Sequence, residues 1–409
     1  MAQLLYSRSL MVAHQPIGVP GAEIHSIGAG GGSIAWIDSG GALRVGPHSA
    51  GAKPGPAAYD MGGAEPTVTD ANIVLGYLSP DAFLGGRRRL RADLAKQAIR
   101  ERIAAPLGLD VPQAAAGIIR VVNENMVNAI RVVSVQRGID PRPFLLVAGG
   151  GAGALHAGRL AVELRIERVL ISAEAGVIFA FGITVTDLKY DYARTLHTAS
   201  PEPAIDRVGR LLGELEAKAL DDLEHSGFSG ERVQLRRFVD ARYRGQVHEL
   251  VAPVPAGDLD REDFQTIADT FHSLHRERYG WSAKEYPVEY LHWRVTGTGL
   301  IERLAELDFR LVSPRSASEA ARGTRLAYFE ESGGLADVLA FWSNEVPTGA
   351  EIFGPALIDG ATTTIVVFPG QRLLADGKGS FLIETGTKHP APAAGEPIDV
   401  GEGIPREAM

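Results

Sequence analysis

The sequence predicts an α/β protein whose carboxy-terminal part is rich in β-strands, and three observations support this fold class. Residues 143–148 (PFLLVA) form an apolar run of strand length, and a glycine-rich segment and the helical pattern of residues 154–164 follow it. A second apolar run at residues 168–171 completes the order strand, loop, helix, strand, which is typical of a crossover unit in a parallel sheet. Short strand patterns and turns then fill residues 325–385.

The first element that the sequence predicts is a β-hairpin. Two short apolar runs, residues 33–38 and 42–45, flank Ser39-Gly40-Gly41, whose glycines supply the positive φ that a tight hairpin turn needs. Residues 46–66 are rich in glycine and proline, which predicts a long loop after the hairpin.

A long amphipathic helix is predicted over residues 112–137. Apolar residues recur there at spacings of three and four, namely Ala115, Ile119, Val122, Met126, Ile130 and Val133. Asp110 is placed to cap the helix and Gly138 to end it. Because the apolar residues of the next run, 143–148, do not alternate with polar ones, we expect a central strand covered on both faces.

The later sequence alternates helical and strand patterns. We expect helices at 205–223 and 264–274, and half-exposed strands where apolar and polar residues alternate, at 239–244 and 291–296. The resulting division is a core at 1–190, a carboxy-terminal α+β domain at 191–386 and a disordered tail at 387–409, which is rich in proline, alanine, glycine and glutamate.

Composition excludes several classes of function. The 409 residues suffice for about two or three domains. A net charge of −9 repels the phosphate backbone of nucleic acid, and the absence of cysteine excludes disulfides and thiolate metal sites.

The apolar stretch 169–186 carries Glu174 near its middle and two glycines, which favours a buried strand and a turn over a membrane span. Because the first residues lack the apolar core of a secretory signal, we expect a cytoplasmic protein with neither a nucleic-acid nor a membrane partner.

The strongest candidate for a binding site is a glycine-rich loop, which comprises Gly149, Gly150, Gly151, Ala152 and Gly153. Its four glycines let backbone N–H groups approach a ligand without hindrance from Cβ atoms, and the helix that follows points its positive end at the same place. A nucleotide is the ligand that suits this arrangement. The loop matches neither the dinucleotide nor the phosphate-loop pattern, so a structural tight turn is the alternative.

A second candidate region lies near the amino terminus. Gly30, Gly31, Gly32 and Ser33 either surround an anion or form a structural turn, since no clear helical pattern follows them. Asp70 and Asn72 lie where a helix to about residue 77 begins. We expect Asp70 to be the N-cap of that helix, and the alternative is a role near a metal, a phosphate or the substrate.

Histidines provide weaker candidates. His272 and His275 lie three residues apart on a predicted helix, but no third metal ligand with suitable spacing is visible, so we assign no metal site. His156 lies in the first helical turn after the glycine-rich loop, where a packing role is favoured over a catalytic one. The sequence contains neither a G-x-S-x-G elbow nor an H-E-x-x-H motif, and we assign no catalytic residue.

Several long segments closely resemble the hydantoinase/oxoprolinase family, specifically its A, or α, subunit. The resemblance is carried by residues 24–38 (IHSIGAGGGSIAWID), 51–78 (GAKPGPAAYDMGGAEPTVTDANIVLGYL), 147–157 (VAGGGAGALHA), 242–250 (RYRGQVHEL), 277–281 (ERYGW), 288–299 (VEYLHWRVTGTG) and 354–370 (GPALIDGATTTIVVFPG). These segments occur in the family's order and cover about residues 24–385.

The resemblance implies an actin-like ATPase fold whose two halves enclose ATP and Mg²⁺, followed by the carboxy-terminal domain. Members of the family, which include 5-oxoprolinase, N-methylhydantoinase and the β subunit of acetone carboxylase, use ATP to phosphorylate a carbonyl or amide oxygen of a cyclic amide or a ketone. A B-type partner subunit then completes ring hydrolysis or carboxylation. The resemblance places residues 149–153 on the adenosine side, with Ala154 where a proline is common and Phe179 and Phe181 where smaller residues are expected.

One departure from the family is an absence. The family's two phosphate-binding segments, each an Asp followed by Gly-Gly-Thr, do not occur in this sequence. We therefore expect the latter part of an A subunit, with the phosphate and Mg²⁺ contacts supplied by the missing half and homo-oligomerisation left open. The leading hypothesis is a component of an ATP-dependent hydrolase of the hydantoinase or 5-oxoprolinase type. The alternatives are an acetone carboxylase β-type subunit and a non-catalytic binding or assembly protein.

Overall fold

The structure is a computed structural model, and it describes residues 6–7, 10–12, 15–17, 21–22, 24–301, 317, 319–376 and 379–386. The predicted tail at 387–409 lies outside the described residues. The α-helices are α1 (Val68–Val74), α2 (Ala92–Ile99), α3 (Ala105–Leu107), α4 (Val111–Val133), α5 (Gly153–Leu164), α6 (Ile178–Thr184), α7 (Ile205–His225) and α8 (Arg261–Tyr279). The strands are β1 (Tyr6–Ser7), β2 (Leu10–Val12), β3 (Gln15–Ile17), β4 (Gly21–Ala22), β5 (Ser33–Ile37), β6 (Leu43–Ser49), β7 (Leu145–Ala148), β8 (Arg168–Ile171), β9 (Leu188–Ala199), β10 (Val233–Tyr243), β11 (Leu250–Val254), β12 (Val288–Gly299), β13 (Ala321–Phe329), β14 (Gly334–Trp342), β15 (Glu351–Phe353), β16 (Ala356–Asp359), β17 (Thr364–Val367), β18 (Arg372–Ala375) and β19 (Phe381–Glu384).

The chain forms two compact units, and the mixed α/β class predicted from the sequence is confirmed. The first unit combines residues 1–181 with 308–409, and the second unit is residues 182–307. The sequence-based division grouped residues 321–386 with the α+β domain, whereas the structure places these strands in the first unit. The physical reason is a strand pairing between distant segments, because β19 pairs with β8.

The main sheet of the first unit has the strand order β15-β18-β19-β8-β7. Strands β7 and β8 are parallel and α5 connects them, so the predicted strand, loop, helix, strand unit is present. A second sheet has the order β13-β14-β16-β17, and β5 and β6 form the predicted hairpin.

Strand β7 corrects one expectation from the sequence. The apolar run that contains it predicted a central strand covered on both faces, but β7 is the last strand of its sheet as far as the described residues extend. Val147 is 53% exposed and Leu145 is 37% exposed. An apolar sequence shows that a strand can be buried, but it does not show that another strand lies beside it. Within the described residues, β7 has a neighbouring strand, β8, at one edge only.

Helix α4 follows the prediction from the sequence closely. Asp110 is its N-cap, and its carboxylate accepts a hydrogen bond from the backbone N–H of Gln113 at 2.7 Å. The apolar positions of α4 enter the core of the first unit, where Ile118 and Val122 have no exposed surface. Gly138, with φ of +76°, follows the short 3₁₀ turn after α4, so its lack of a Cβ suits the predicted end.

The second unit contains an antiparallel sheet with the order β11-β10-β12-β9. Val239, Ala241, Trp293 and Val295 are fully buried in one core with residues of α7 and α8. Alternate residues point to the opposite face of the sheet. The sequence pattern predicted a half-exposed strand at 239–244, but Asp240 on that opposite face is also fully buried, because Arg294 of β12 pairs with its carboxylate.

The apolar stretch 169–186 forms most of β8, a 3₁₀ turn at Ala175–Val177 and the short helix α6. No helix within the described ranges combines the length and apolar character needed to cross a bilayer.

Candidate functional site

The loop between β7 and α5, which we call the second glycine loop (Gly149–Gly153), has a backbone that only glycine suits at two positions. Gly150 has a φ of +89°, and its N–H donates a hydrogen bond to the carbonyl of Ala175 at 2.7 Å. A Cβ at Gly149 would lie 2.7 Å from Cγ2 of Ile178, which is closer than packed carbon atoms allow. The loop is therefore held in one conformation against the turn before α6.

Parts of the same loop border open space. A Cβ built on Gly150 would meet no atom within 4 Å, and one built on Gly153 would meet only a backbone carbon at 4.0 Å. The loop also lies at the carboxyl end of β7 and at the start of α5, which is the position where α/β proteins bind ligands.

The first glycine loop (Gly28–Ser33) is closed by the Ser33 side chain. The Ser33 hydroxyl accepts a hydrogen bond from the N–H of Gly30 at 3.0 Å and donates one to the carbonyl of Gly28 at 3.3 Å. Strand β5, not a helix, follows this loop in the chain. A Cβ on Gly30 would meet nothing within 4 Å, and Gly32 is half-buried against the Ser49 side chain.

The two glycine loops lie next to each other. A Cβ on Gly31 would be 3.9 Å from Cβ of Ala152, so the loops meet at this point although more than a hundred residues separate them in the sequence. Thr69 holds the first loop in place, because its N–H and its hydroxyl both donate to the Gly31 carbonyl, at 2.8 and 2.9 Å.

A third segment, which was not among the site candidates predicted from the sequence, joins the site. The Thr363 hydroxyl donates a hydrogen bond to the Gly151 carbonyl at 3.2 Å. A Cβ on Gly176 would be 2.2 Å from Oγ1 of Thr362, so only glycine allows this approach. The sequence feature that could have identified this segment as part of the site is the run of three threonines in GATTT, residues 360–364, which follows strand β16.

Asp70 has a structural position, and one expectation about it was wrong. Thr67, not Asp70, is the N-cap of α1, and Asp70 occupies the third helical position in a capping box. The Asp70 carboxylate is fully buried and accepts hydrogen bonds from the N–H groups of Ala57, Ala58 and Thr67 and from the Thr67 hydroxyl, at 2.7 to 3.2 Å. Burial raises the pKa of this carboxyl, and the hydrogen bonds act in the opposite direction.

Asn72 and His156 are buried polar residues of the same unit. The Asn72 amide donates to the Val68 carbonyl at 3.0 Å, and its oxygen has no hydrogen-bond partner among the described residues. Nδ1 of His156 is hydrogen-bonded to Asn123 at 2.8 Å, and burial lowers the pKa of His156 to about 4. Both side chains face the protein interior, so the packing role expected for His156 agrees with its position.

The two histidines of α8 are held by structural hydrogen bonds in the second unit. Nδ1 of His272 is 2.6 Å from the Tyr243 hydroxyl, and Nδ1 of His275 is 2.8 Å from the Trp281 carbonyl. Nε2 of His275 is 3.1 Å from the Gln246 amide. The spacing of this pair predicted no metal site, and the hydrogen bonds give these rings a role in packing the segment after α8.

The arrangement around the glycine loops suits binding of a nucleotide more than proton transfer. Accessible backbone groups and two threonine hydroxyls surround it, and they suit the uncharged parts of a nucleotide. Among Gly30–Ser33, Gly149–Gly153, Asp70, Thr69 and Thr362–Thr363, the only carboxylate belongs to Asp70, and its oxygens are already engaged. These residues therefore do not fit the oxygen-rich shell that Mg²⁺ requires.

Comparison with known families gives two matches that together cover most of the chain. The family model described as hydantoinase/oxoprolinase matches residues 3–192, and the model of the hydantoinase/oxoprolinase C-terminal domain matches residues 198–384.

Two known proteins illustrate the similarity in sequence. The caprolactamase subunit alpha of Pseudomonas jessenii is 38% identical over 374 residues, which cover 90% of this chain and 53% of the relative. The 5-oxoprolinase of Saccharomyces cerevisiae is 30% identical over 373 residues, or 86% of this chain and 28% of the relative. This chain thus spans about half of the first relative and less of the second.

Solved structures agree with the sequence matches. The crystal structure of the ATP-dependent caprolactamase from Pseudomonas jessenii superposes with a TM-score of 0.71 at 37% identity, covering 93% of this chain and 55% of that chain. The nucleotide-free structure of acetone carboxylase gives a TM-score of 0.80 at 27% identity, covering 91% and 54%.

Proposed function

This chain belongs to the hydantoinase/oxoprolinase family, and we propose that its two glycine loops form the adenosine-side wall of an ATP site in an enzyme that opens cyclic amides. ATP-dependent hydrolases of cyclic amides and ATP-dependent carboxylases occur among its relatives. The observation that carries the proposal is the junction of Gly31 with Ala152, which turns two separate glycine-rich segments into one accessible backbone surface. In this proposal the first unit is the second half of an actin-like ATPase fold.

A further polypeptide region completes the site in this proposal. Among Gly30–Ser33, Gly149–Gly153, Thr69, Asp70 and Thr362–Thr363, the carboxylate of Asp70 is already engaged and no other is present, so in this proposal the phosphate and Mg²⁺ contacts come from elsewhere. Strand β7 supports this, because it ends its sheet within the described residues and exposes Leu145 and Val147. The first relatives are about twice as long as the matched region, which gives room for such a region. We also assign a B-type subunit as the partner that completes hydrolysis.

In the proposed reaction, ATP activates the amide group of the substrate by phosphorylating its oxygen. The γ-phosphoryl group leaves ADP and forms a new P–O bond with the amide oxygen, which makes the ring carbon susceptible to attack. A first water then adds to that carbon and the C–N bond opens, which leaves a free amine and an acyl phosphate. A second water attacks the acyl carbon and breaks its C–O bond to the phosphoryl group, which yields ADP, inorganic phosphate that carries the former amide oxygen, and the open-chain acid. The role of this chain is to hold the adenosine so that the γ-phosphoryl group is positioned.

An oxygen-labelling experiment tests this reaction. The chain is combined with the region that carries the phosphate-binding segments and with a B-type subunit, and a cyclic amide labelled with ¹⁸O in its carbonyl is supplied with ATP. We expect ring opening that depends on ATP and inorganic phosphate that carries one ¹⁸O from the substrate. Phosphate without the label, or ring opening without ATP, contradicts the proposal. Hydantoin, 5-oxoproline and caprolactam are suitable substrates.

A carboxylase subunit is the second candidate function. The superposition on acetone carboxylase, with the higher of the two TM-scores, favours it. Incubation of the assembled enzyme with acetone, bicarbonate and ATP distinguishes the candidates, because only a carboxylase hydrolyses ATP in proportion to the bicarbonate that it fixes.

A non-catalytic binding or assembly protein is the third candidate function. It predicts that the glycine loops bind no nucleotide even when the partner regions are present, and calorimetric titration of the assembled protein with ATP measures this directly.

A further inference from the structure

We propose that the second unit binds a divalent transition-metal ion through Asp240, Glu249 and His292. One ligand atom of each residue lies within 4.8 Å of the ligand atoms of the other two, which is the spacing of side chains that share one ion. The three residues lie outside the glycine loops and belong to another unit of the chain. The proposal therefore uses none of the residues of the proposed nucleotide site and does not rest on that proposal.

The sheet itself brings the three residues together. Asp240 of β10 pairs directly with His292 of β12 in the antiparallel register, so their side chains project from the same face. Asp240 also pairs with Val251 of β11, and Glu249 immediately precedes β11. The register shifts next to both paired residues, between Asp240 and Ala241 and between Tyr290 and His292, and such irregularities redirect side chains near functional sites.

Residues around the cluster orient two of its ligands. Nδ1 of His292 is 2.9 Å from the Thr195 hydroxyl, a contact that orients the ring, and when Nδ1 donates this hydrogen bond Nε2 is the nitrogen left for a metal. Arg294 holds Asp240 through Oδ2, with Nη2 and Nε at 2.7 and 3.0 Å. Metal-binding histidines and carboxylates are held in the same way by outer hydrogen bonds.

The donor set indicates the class of ion. One imidazole nitrogen and two carboxylates suit zinc, manganese or iron, whereas calcium and magnesium prefer oxygen ligands alone. With three protein ligands, the remaining coordination positions belong to water or to a bound molecule. Without an ion, the two carboxylates and Arg294 carry a net negative charge, which a divalent cation reverses.

A bound ion would restrain the loop that connects β10 to β11, residues 244–249. Glu249 ends this connection, which also contains Val247, a residue that is 81% exposed. A ligand bond from Glu249 to an ion held by two strands ties the connection to the sheet, so binding of the ion raises the stability of the second unit.

Equilibrium dialysis of the full chain against Zn²⁺ or Mn²⁺, with metal analysis, tests the proposal. We expect a single bound equivalent and a higher melting temperature, and we expect Mg²⁺ and Ca²⁺ to bind much more weakly. His292→Ala and Glu249→Gln should each lower the affinity at least about ten-fold, and Thr195→Val, which removes only the hydroxyl that orients His292, should lower it by about 10- to 100-fold. These three side chains are not fully buried, so circular dichroism of each variant should match that of the unchanged chain.

His225→Ala is the matched control, since His225 is an exposed histidine of the same unit beside the carboxylate of Asp221. Its removal should leave metal binding unchanged. Visible absorption of bound Co²⁺ provides a second readout, and its intensity should fall in His292→Ala. The proposal is wrong if His292→Ala and Glu249→Gln bind metal as well as His225→Ala does, or if the unchanged chain binds no Zn²⁺ or Mn²⁺.

Discussion

Nδ1 of His156 lies 2.8 Å from the side-chain oxygen of Asn123, and this hydrogen bond joins α5 to α4 inside the first unit. Both side chains are more than nine-tenths buried, and Nε2 of His156 has no hydrogen-bond partner within the described ranges. The neutral ring is therefore the form that the fold accepts.

The first prediction concerns stability in acid. Burial lowers the pKa of His156 to about 4, whereas an unfolded histidine titrates near 6.5. The unfolded chain thus takes up this proton first, so the contribution of His156 to stability is complete above about pH 6.5 and is lost as the pH falls towards 4. The loss is on the order of 3 kcal/mol.

Urea denaturation between pH 4 and 7 measures this effect. His156→Gln keeps an N–H donor for Asn123 but does not titrate, so it should flatten the fall in unfolding free energy on the acid side. His225→Gln, which changes an exposed histidine, should leave the fall in place. An equally steep fall in His156→Gln assigns the acid sensitivity to other groups.

The second prediction concerns Asp70. Asp70→Asn replaces a carboxylate oxygen that accepts hydrogen bonds with an NH₂ group, which faces the donors of Ala57, Ala58 and Thr67. We expect a loss of about 2 kcal/mol or more in the free energy of unfolding. Asp93→Asn is the control, because Asp93 is exposed and its ion pair is with the exposed Arg91. Equal effects of the two substitutions in urea denaturation contradict the structural role of Asp70.

The third prediction tests the glycine loops as a ligand surface. Gly30→Ala and Gly153→Ala place a methyl group in open space, so neither should lower the melting temperature. If a nucleotide lies against these loops, both should raise the KM for ATP of the assembled enzyme by about ten-fold, or ~1.4 kcal/mol. Gly213→Ala in α7 also meets open space and should leave the KM unchanged, while its melting temperature should rise because alanine favours a helix interior over glycine. Unchanged KM values in both loop variants place the nucleotide elsewhere.

The fourth prediction concerns the edge strand β7. Val147→Lys introduces a charge where we propose that a further polypeptide region packs, so it should weaken association with that region at least about ten-fold. Leu326→Lys is a matched control on another strand, because Leu326 and Val147 are both 53% exposed. Analytical ultracentrifugation of the mixed polypeptides measures the association. Equal binding by the two variants removes β7 from the interface.

The fifth prediction concerns a buried ion cluster of the first unit. The side chain of Asp359 is 1% exposed. Its Oδ2 accepts hydrogen bonds from Nη1 of Arg322 at 3.2 Å and from Nη1 of Arg325 at 2.8 Å. Asp359→Asn leaves both arginines without their counter-charge and should lower the free energy of unfolding by about 3 kcal/mol. Glu351→Gln, which removes an exposed partner of Arg372, should have a much smaller effect in the same thermal or urea denaturation.

Local sequence signals predicted the elements of this fold well. The cap at Asp110, the apolar spacing of α4 and the glycines around residue 150 act over a few residues, so the sequence pattern contains all the information that they need. The glycine-rich loops were identified as site candidates for the same reason. Their contact through Gly31 and Ala152 was not predictable, because it depends on the packing of distant segments.

Long-range partners account for the expectations that the structure corrects. An apolar run does not reveal whether a neighbour covers it, so β7 was expected inside a sheet. Alternation placed Asp240 on a polar face, but only its pairing with Arg294 explains why that carboxylate is buried. Thr67 and Asp70 are both common at helix starts, and only the hydrogen bonds distinguish the cap from the third position.

The pairing of β19 with β8 sets a condition on the order in which the chain can fold during synthesis. Glu384 lies opposite Arg168, so roughly two hundred residues have to leave the ribosome after β8 before this ladder can form. At usual rates of translation the delay is on the order of 10–40 s. Residues 182–307, the whole second unit, emerge within that interval. A nascent chain therefore leaves the edge of β8 that later pairs with β19 open to chaperones during that interval.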